Sequence, residues 1–370
     1  MIERYLNPEI NSIWDDQNKF DTWKLVQEKY VETLEELDVA ENGIAKKINQ
    51  SVVQKDEVYK QEEITNHDLA SFVDILQKKV GEGSNWIHYG LTSSDIVDTA
   101  NSILIMQSLD YVKDLINDLL STLKEKAVQE KDTSIIGRTH GVYAEETFLG
   151  NIFGNWHLEV ARGLNRLENS KNNISFGKLS GPVGNHSVVT SEMEKLTLEK
   201  LNLKPEQFAT QIVSRDRYAE VVSSLGILAS TYERIATNIR SYQRSEISEM
   251  FESFKDGQKG SSAMPHKKNP IGSERITGLA RIMRSYVSTS LENMVLWNER
   301  DISNSSVERI MLPDTFHLIS FMSIELNSIL KHLVVNYEQI NVNLEDAKNK
   351  WLQGKFPLII NDKEEFIPLP

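Results

Sequence analysis

Apolar residues in this chain recur at three- and four-residue intervals over unusually long stretches. After Val97 the series runs Ala100, Leu104, Leu109, Val112, Ile116, Leu119, Leu123 and Ala127. That is one helical stripe of about eight turns. A second series, from Val221 to Phe251, passes through Leu225, Leu228, Tyr232, Ile235, Ile239, Tyr242, Ile247 and Met250. A third runs from Phe316 to Leu333. Helices of this length are uncommon against a mean of roughly three turns. They suit a bundle of parallel and antiparallel helices, often shared between subunits. Glycine and proline, which would interrupt such runs, number only 18 and 9 and fall in clusters. Strand-like alternation is scarce, and Gly177–His186 reads as a loop or a small hairpin. The fold class expected is all-α. We divide the chain into an N-terminal helical domain (1–95), a central long-helix bundle (96–340) and a short tail (341–370).

Composition removes several function classes. The 370 residues, 39% of them hydrophobic, suffice for a large core and more than one domain. The formal net charge of −13 disfavours nonspecific nucleic-acid binding, so any anion site needs a local basic cluster. The chain has no cysteine, which excludes disulfides, thiolate catalysis and cysteine-ligated metals. A reducing cytoplasm is the simplest home. The N-terminal residues carry no apolar signal core, and no window approaches the ~18 apolar residues of a membrane span. A soluble cytoplasmic protein is expected.

Five interruptions carry candidate chemistry. In "EITNHDLASFV", Thr65 followed by Asp68 fits a capping box, which would place Asn66, His67 and Asp68 at a helix N-terminus facing an anion. A plain cap with a surface histidine would read the same way. In "WIHYGLTSSDIVDTA", Asp95 suits the N-cap of the long helix, with Thr92 and Ser93 in the turn before it and His88 upstream. In "IIGRTHGVYAEETFLG", Arg138 and His140 lie between two glycines that permit unusual backbone angles. An imidazole held there can donate a proton near neutral pH, though a loop histidine is often structural. In "LWNERDISNSSVERIMLP", Ser305 and Glu308 form a further capping box flanked by Arg300 and Arg309. That is either a phosphate clamp or a salt-bridged helix start. The fifth is "GQKGSSAMPHKKNP", Gly257 to Pro270. A glycine-rich loop of this kind can close over a ligand. Ser261 and Ser262 offer hydroxyls, while Lys267 and Asn269 offer a cation and an amide for carboxylates.

The last of these, "GSSAMPHKKNP", resembles the signature loop of the fumarase/aspartase superfamily, roughly G-S-S-x-M-P-x-K-x-N. Four more stretches occur in matching order: "HYGLTSSDIVDTA", "GRTHGVYAE", "TQIVSRDRYAE" and "ERDISNSSVERIMLP". Together they narrow the resemblance to the adenylosuccinate lyases, over the chain from Ile2 to about residue 335. The resemblance implies a nearly all-helical subunit of three domains, assembled as a homotetramer around a central helix bundle. It implies active sites built from three subunits, with no metal or organic cofactor. The implied reaction is β-elimination of fumarate from adenylosuccinate and from the analogous succinyl-carboxamide ribotide.

Such an elimination needs a base for a carbon proton, an acid for the departing nitrogen and stabilisation of carboxylate charge. By resemblance, Ser261 is the base and His140 the acid, oriented by Glu274. His88 assists catalysis by binding the succinyl part. Lys267 and Asn269 grip its carboxylates together with Thr92, Ser93 and Ser262. Gln211 contacts substrate, and Arg4 and Tyr5 match a nucleotide contact. Asn66, His67, Asp68, Arg300, Ser305 and Arg309 hold the phosphate and ribose side. The chain departs from the family pattern at Tyr143, Tyr218, Asn298 and Asn304, each in place of a histidine, and at Glu146 in place of a proline. These changes thin out the imidazole around the site and bear on its pH profile. The family's third helical domain has only the short tail 341–370 to correspond to it. Two further readings are a sister lyase on another fumarate-releasing substrate and an idle helical scaffold. The Arg300, Ser305 and Arg309 cluster speaks against the first. The intact Ser261, His140, Lys267, Asn269 and Glu274 speak against the second.

Overall fold

The computed structural model describes residues 1–254, 264 and 267–353. Within these residues the chain is predominantly helical. Its helices are α1 (Pro8–Trp14), α2 (Asp16–Glu36), α3 (Ile44–Gln50), α4 (Lys55–Thr65), α5 (Asp68–Val80), α6 (Ser93–Gln129), α7 (Leu149–Ile174), α8 (Ser191–Lys200), α9 (Arg215–Tyr242), α10 (Ile271–Glu292), α11 (Ser303–Lys331) and α12 (Tyr337–Gln353). Three two-stranded pairs complete the described structure. β1 (Ser134–Thr139) and β2 (Val142–Phe148) form an antiparallel hairpin. β3 (Phe176–Gly177) pairs in parallel with β4 (Lys204–Pro205), and β5 (Met250–Phe251) pairs antiparallel with β6 (Val334–Val335). No described helix is long and apolar enough to cross a membrane.

The long stripe lies where its period puts it. Ala100, Leu104, Leu109, Val112, Ile116, Leu119, Leu123 and Ala127 are all buried on one face of α6. The second stripe is buried from Val221 to Ile239, but α9 stops at Tyr242, short of Phe251. Ile247 and Met250 are buried as well, yet they reach the core from a turn and from β5. Burial alone therefore kept the apolar spacing going after the helix had ended. Of the two readings for 177–186, loop or small hairpin, the structure has the loop, and Gly177 at its start pairs with Pro205. The true hairpin is β1–β2. Its strands are too irregular to show a clean alternation, with a register shift between Ile136 and Arg138.

The chain divides into two compact units. The first comprises Met1–Tyr111, Leu167–Ser223 and Tyr286–His317. Its core packs Phe20, Trp23, Tyr30 and Leu34 of α2 with Phe72 and Leu76 of α5, Ile96 and Ala100 of α6, and Leu198 of α8. Phe20, Trp23 and Phe72 meet at ring-centroid distances of 5.1 to 6.0 Å, within the range where aromatic pairs attract. The second unit comprises Val112–Arg166, Ser224–Ser285 and Leu318–Pro370. There α12 packs on β1 through Ile136, Leu344, Ala347 and Tyr143.

Candidate active site

In the first unit, the turn before α6 is held from several sides. Helix α6 starts at Ser93, so Asp95 lies in its first turn and is not the N-cap. Asp95 Oδ2 accepts from the backbone N–H of Thr92 (2.8 Å), which is the reverse half of a capping box. The same carboxylate is paired with the fully buried Lys178 and accepts from the Gly181 N–H (3.2 Å). Thr92 and Ser93 are thus fixed by a buried charge pair. His88 sits in the preceding turn with φ +64°. Gln27 of α2 meets it twice, through its backbone N–H (2.9 Å) and its Nδ1 (3.0 Å).

The α4–α5 junction contributes the next group. Asn66 ends α4 in the left-handed region, with φ +53°. α5 is capped by His67, whose ring accepts from the Ala70 N–H, and not by Thr65. His67 Nε2 lies 3.3 Å from Ser93 Oγ, and its Nδ1 is 3.6 Å from Asp68. Asp68 pairs with Arg309 Nη2 at 2.7 Å, and Arg309 Nε reaches Ser305 Oγ at 3.4 Å. Arg300 reaches Ser94 Oγ (3.1 Å) and Gln211 Oε1 (3.4 Å). The structure thus joins His67, Asp68, Ser93, Ser305 and Arg309 in one chain of contacts, with Arg300 linking the adjacent Ser94 to Gln211. Arg4 and Tyr5 lie in the same unit on a short 3-10 turn, with Arg4 exposed.

The start of α11 corrects a second capping box. The helix begins at Ser303, whose N–H donates to Asp301 Oδ1 (2.9 Å). Glu308 is instead buried in a charge network. It accepts from Arg215 Nε (2.7 Å) and Nη2 (3.0 Å), while Arg215 also bonds both Asp98 oxygens (2.6 and 2.9 Å). Sequence reasoning missed Arg215, Asp98 and Glu308 as a set. The only available signal was an arginine at a helix start just after Gln211.

Three of the four positions without the family histidine support an arginine. Asn304 donates to Glu308 (3.1 Å) and accepts from Arg300 Nε (3.2 Å). Tyr218 lies under Arg215, 4.5 Å from guanidinium carbon to ring centroid, and burial pushes its phenol well above the usual range. Tyr143 faces Arg138 at 5.3 Å and donates to Asp346 (3.3 Å). A protonated imidazole in any of these places would repel the guanidinium, whereas an amide or phenol stays neutral. Asn298 adopts φ +49°, which asparagine tolerates well.

In the second unit, His140 and Gly141 form the two-residue turn of the β1–β2 hairpin, with φ +54° and +79°. Both central positions of a type I′ turn need positive φ, so His140 is held in a left-handed backbone well that is uncommon for residues other than glycine. Its strand is anchored by Arg138, which forms a bidentate pair with the buried Glu249 (2.7 and 2.8 Å). Asn343 Nδ2 donates to the same carboxylate (2.8 Å).

Lys267, Asn269 and Glu274 line a cavity of about 630 Å³ together with Arg240, Gln243 and Arg244. The segment entering α10 is fixed by Glu252, which accepts from the N–H groups of Gly272 (3.1 Å) and Ser273 (2.6 Å). Gln243 Nε2 holds the Lys268 carbonyl at 3.0 Å. Neither anchor was visible in the sequence. Among the described residues, no hydrogen bond or ion pair joins Glu274 to His140. Ser261 and Ser262 lie outside the described residues.

His88 gives a pH prediction. Burial, with repulsion from His67, pushes its pKa down to about 4. The unfolded chain, near 6.5, then binds more protons than the folded one between those values. Stability should therefore fall by up to about 3 kcal/mol as pH drops from about 6.5 to 4. Denaturant midpoints measured against pH should show this slope, and His88→Asn should flatten it. An equal slope in the variant would assign the loss to other groups.

Comparison with known proteins adds sequence and fold likeness. The lyase family model matches residues 18–284. The chain is 42% identical over 369 residues to the adenylosuccinate lyase of Aquifex aeolicus, covering 98% of this chain and 84% of that protein. It is 43% identical over 349 residues to that of Thermotoga maritima, covering 94% and 81%. With the enzyme of Bacillus subtilis the identity is 42%, covering 93% and 80%. Among solved structures, fumarate lyase from Mesorhizobium sp. BNC1 superposes with a TM-score of 0.84 at 21% identity, covering 93% of this chain and 80% of that one. The 3-carboxy-cis,cis-muconate lactonizing enzyme of Pseudomonas putida gives 0.85 at 22%, covering 92% and 78%. At these identities the structures show the shared long-helix fold.

Proposed function

Since this chain belongs to the adenylosuccinate lyase family, we propose that it eliminates fumarate from adenylosuccinate to give AMP. It is a carbon–nitrogen lyase of the fumarase/aspartase superfamily. The same chemistry would act on the succinyl-aminoimidazole-carboxamide ribotide of purine nucleotide biosynthesis.

The observation that best supports this reading is the array on the first unit, where Arg300, Arg309, Ser305, Ser93 and His67 gather around Asp68 and Gln211. Two guanidiniums, hydroxyls and an imidazole suit a phosphate and a ribose. Arg309 is 59% exposed at its side chain, so a phosphate can reach it. In our reading Asn66, Arg4 and Tyr5 complete the nucleotide side. Thr92, Ser93, Ser262 and His88 face the succinyl group, and Lys267 and Asn269 grip its carboxylates. Ser261 removes the carbon proton, electrons move to break the C–N bond, and His140, oriented by Glu274, protonates the departing nitrogen.

We assign the assembly as a homotetramer with active sites shared between subunits, in the cytoplasm. Such sharing would bring His140, Glu274, Lys267 and Asn269 to the same substrate as the nucleotide-binding group. Release of fumarate and AMP from added adenylosuccinate tests the function directly, and its absence from a folded, assembled protein would sink the proposal. Arg309→Ala should raise KM about tenfold or more with a smaller change in kcat, because a charge-assisted pair to phosphate contributes about 1.5–3 kcal/mol. An unchanged KM would remove Arg309 from the phosphate site.

A further inference from the structure

Gln27 is a fully buried amide in the apolar core of the first unit, and both of its ends are directed at a single residue. Its oxygen accepts from the His88 backbone N–H at 2.9 Å, and its nitrogen lies 3.0 Å from His88 Nδ1. The orientation is not ambiguous. A backbone N–H can only donate, so it must face the amide oxygen. The amide nitrogen, which can only donate, then faces Nδ1. Nδ1 must accept, and so carries no hydrogen. In the neutral ring the hydrogen is therefore on Nε2, which has no hydrogen-bond partner among the described residues.

The surrounding turn is held with the same care. One turn further along α2, Tyr30 donates to the Tyr89 carbonyl at 2.8 Å. Gln77 of α5 donates to the Ile87 carbonyl at 3.4 Å. Three consecutive residues, 87 to 89, are thus each tied to a side chain from the helices beneath them. His88 itself is in the left-handed region, a strained conformation for a non-glycine residue that persists only where its surroundings over-determine it. Gly90 closes the turn at φ +70°, where a Cβ would come within 2.4 Å of Val188.

We propose that Gln27 is a positioning residue that locks His88 as a neutral imidazole with its hydrogen on Nε2, so that His88 binds substrate as a hydrogen-bond donor and does not act as an acid. The inference rests on the reading of His88 as a contact to the succinyl group. Protonating Nδ1 would set its N–H against the amide N–H of Gln27, which opposes the cation. The titratable group facing the ring is His67, which also opposes it. The carboxylate of the substrate then meets a fixed donor, and the acid role is left to a different histidine.

Gln27→Glu tests the lock with a side chain of nearly the same shape. One carboxylate oxygen still accepts the His88 N–H, while the other now demands a hydrogen on Nδ1. At low pH the ring becomes an imidazolium and keeps its Nε2–H. As pH rises through the new pKa, the proton lost is the one on Nε2, and the donor disappears. The ratio of variant to wild-type kcat/KM for adenylosuccinate should therefore fall about tenfold between about pH 5 and 8. Gln27→Leu, which frees both tautomers, should lower kcat/KM without that slope. Solid-state ¹⁵N spectra of histidine-labelled protein, assigned with His88→Asn, read the proton directly. Wild type should show a bare Nδ1, and Gln27→Leu a mixture. A protonated Nδ1 in wild type, or a pH-independent ratio in Gln27→Glu, would overturn the proposal. If His88→Asn keeps full turnover, the substrate-contact reading falls by itself, and the spectra still decide whether Gln27 sets the tautomer.

Discussion

Replacing Ser261 by alanine should lower kcat on adenylosuccinate by about a hundred- to ten-thousand-fold, with melting temperature and oligomeric state unchanged. The size follows from removing a proton acceptor whose job is done only in the transition state. A serine hydroxyl is a poor base unless nearby cations and amides stabilise its alkoxide. The sequence puts Gly260 before Ser261 and Lys267 shortly after it. The described residues that follow in sequence are held by side chains. Glu252 caps α10, Gln243 holds the Lys268 carbonyl, and Lys267 and Asn269 open onto a cavity with Arg240 and Arg244. Carbon-proton exchange into solvent, followed on substrate, should vanish together with turnover. Turnover within a fewfold of wild type would remove Ser261 as the base.

Arg215→Met should lower the unfolding free energy by about 3–5 kcal/mol, the largest stability loss expected from any single change near the site. The guanidinium is buried, and it joins Asp98 to Glu308 through four side-chain bonds of 2.6 to 3.0 Å. Methionine fills much of the volume but leaves two carboxylates with no cation. Adding Asp98→Asn and Glu308→Gln should restore part of the loss, since neutral amides are cheaper to bury than unpaired charges. Denaturant midpoints of the three proteins decide this. Substrate KM should rise as well, because Asn304 links Glu308 to Arg300. A single variant as stable as wild type would mean that water replaces the guanidinium.

The long helices were legible in the sequence, and so was the local composition of the candidate site, because both depend on near neighbours. The apolar stripe of α6 obeys the helical period, and all eight of its residues are buried. His140 between glycines announced a constrained turn, and the turn is there. Helix starts were less legible. At residues 65–68, 92–95 and 301–308, several side chains of the right type compete to cap. At 301–308 the outcome follows a carboxylate claimed elsewhere, since Glu308 went to Arg215, a partner 93 residues away. At 92–95 one carboxylate serves two partners, because Asp95 accepts from the Thr92 N–H and also pairs with Lys178, 83 residues away. The end of α9 was hidden because Ile247 and Met250 are core residues without being helical.

The sequence alone determined the helical class and the long apolar faces, and it supplied the serines, histidines, arginines and amides proposed for the site, since period and residue chemistry are local properties. Only the tertiary structure decided that Gln27 clamps His88 across 61 residues, that Glu249 holds the strand leading into the His140 turn, and that tyrosine and asparagine stand beside arginines. Hydrogen bonds and ion pairs between distant segments depend on packing in three dimensions, and no spacing along the chain encodes them.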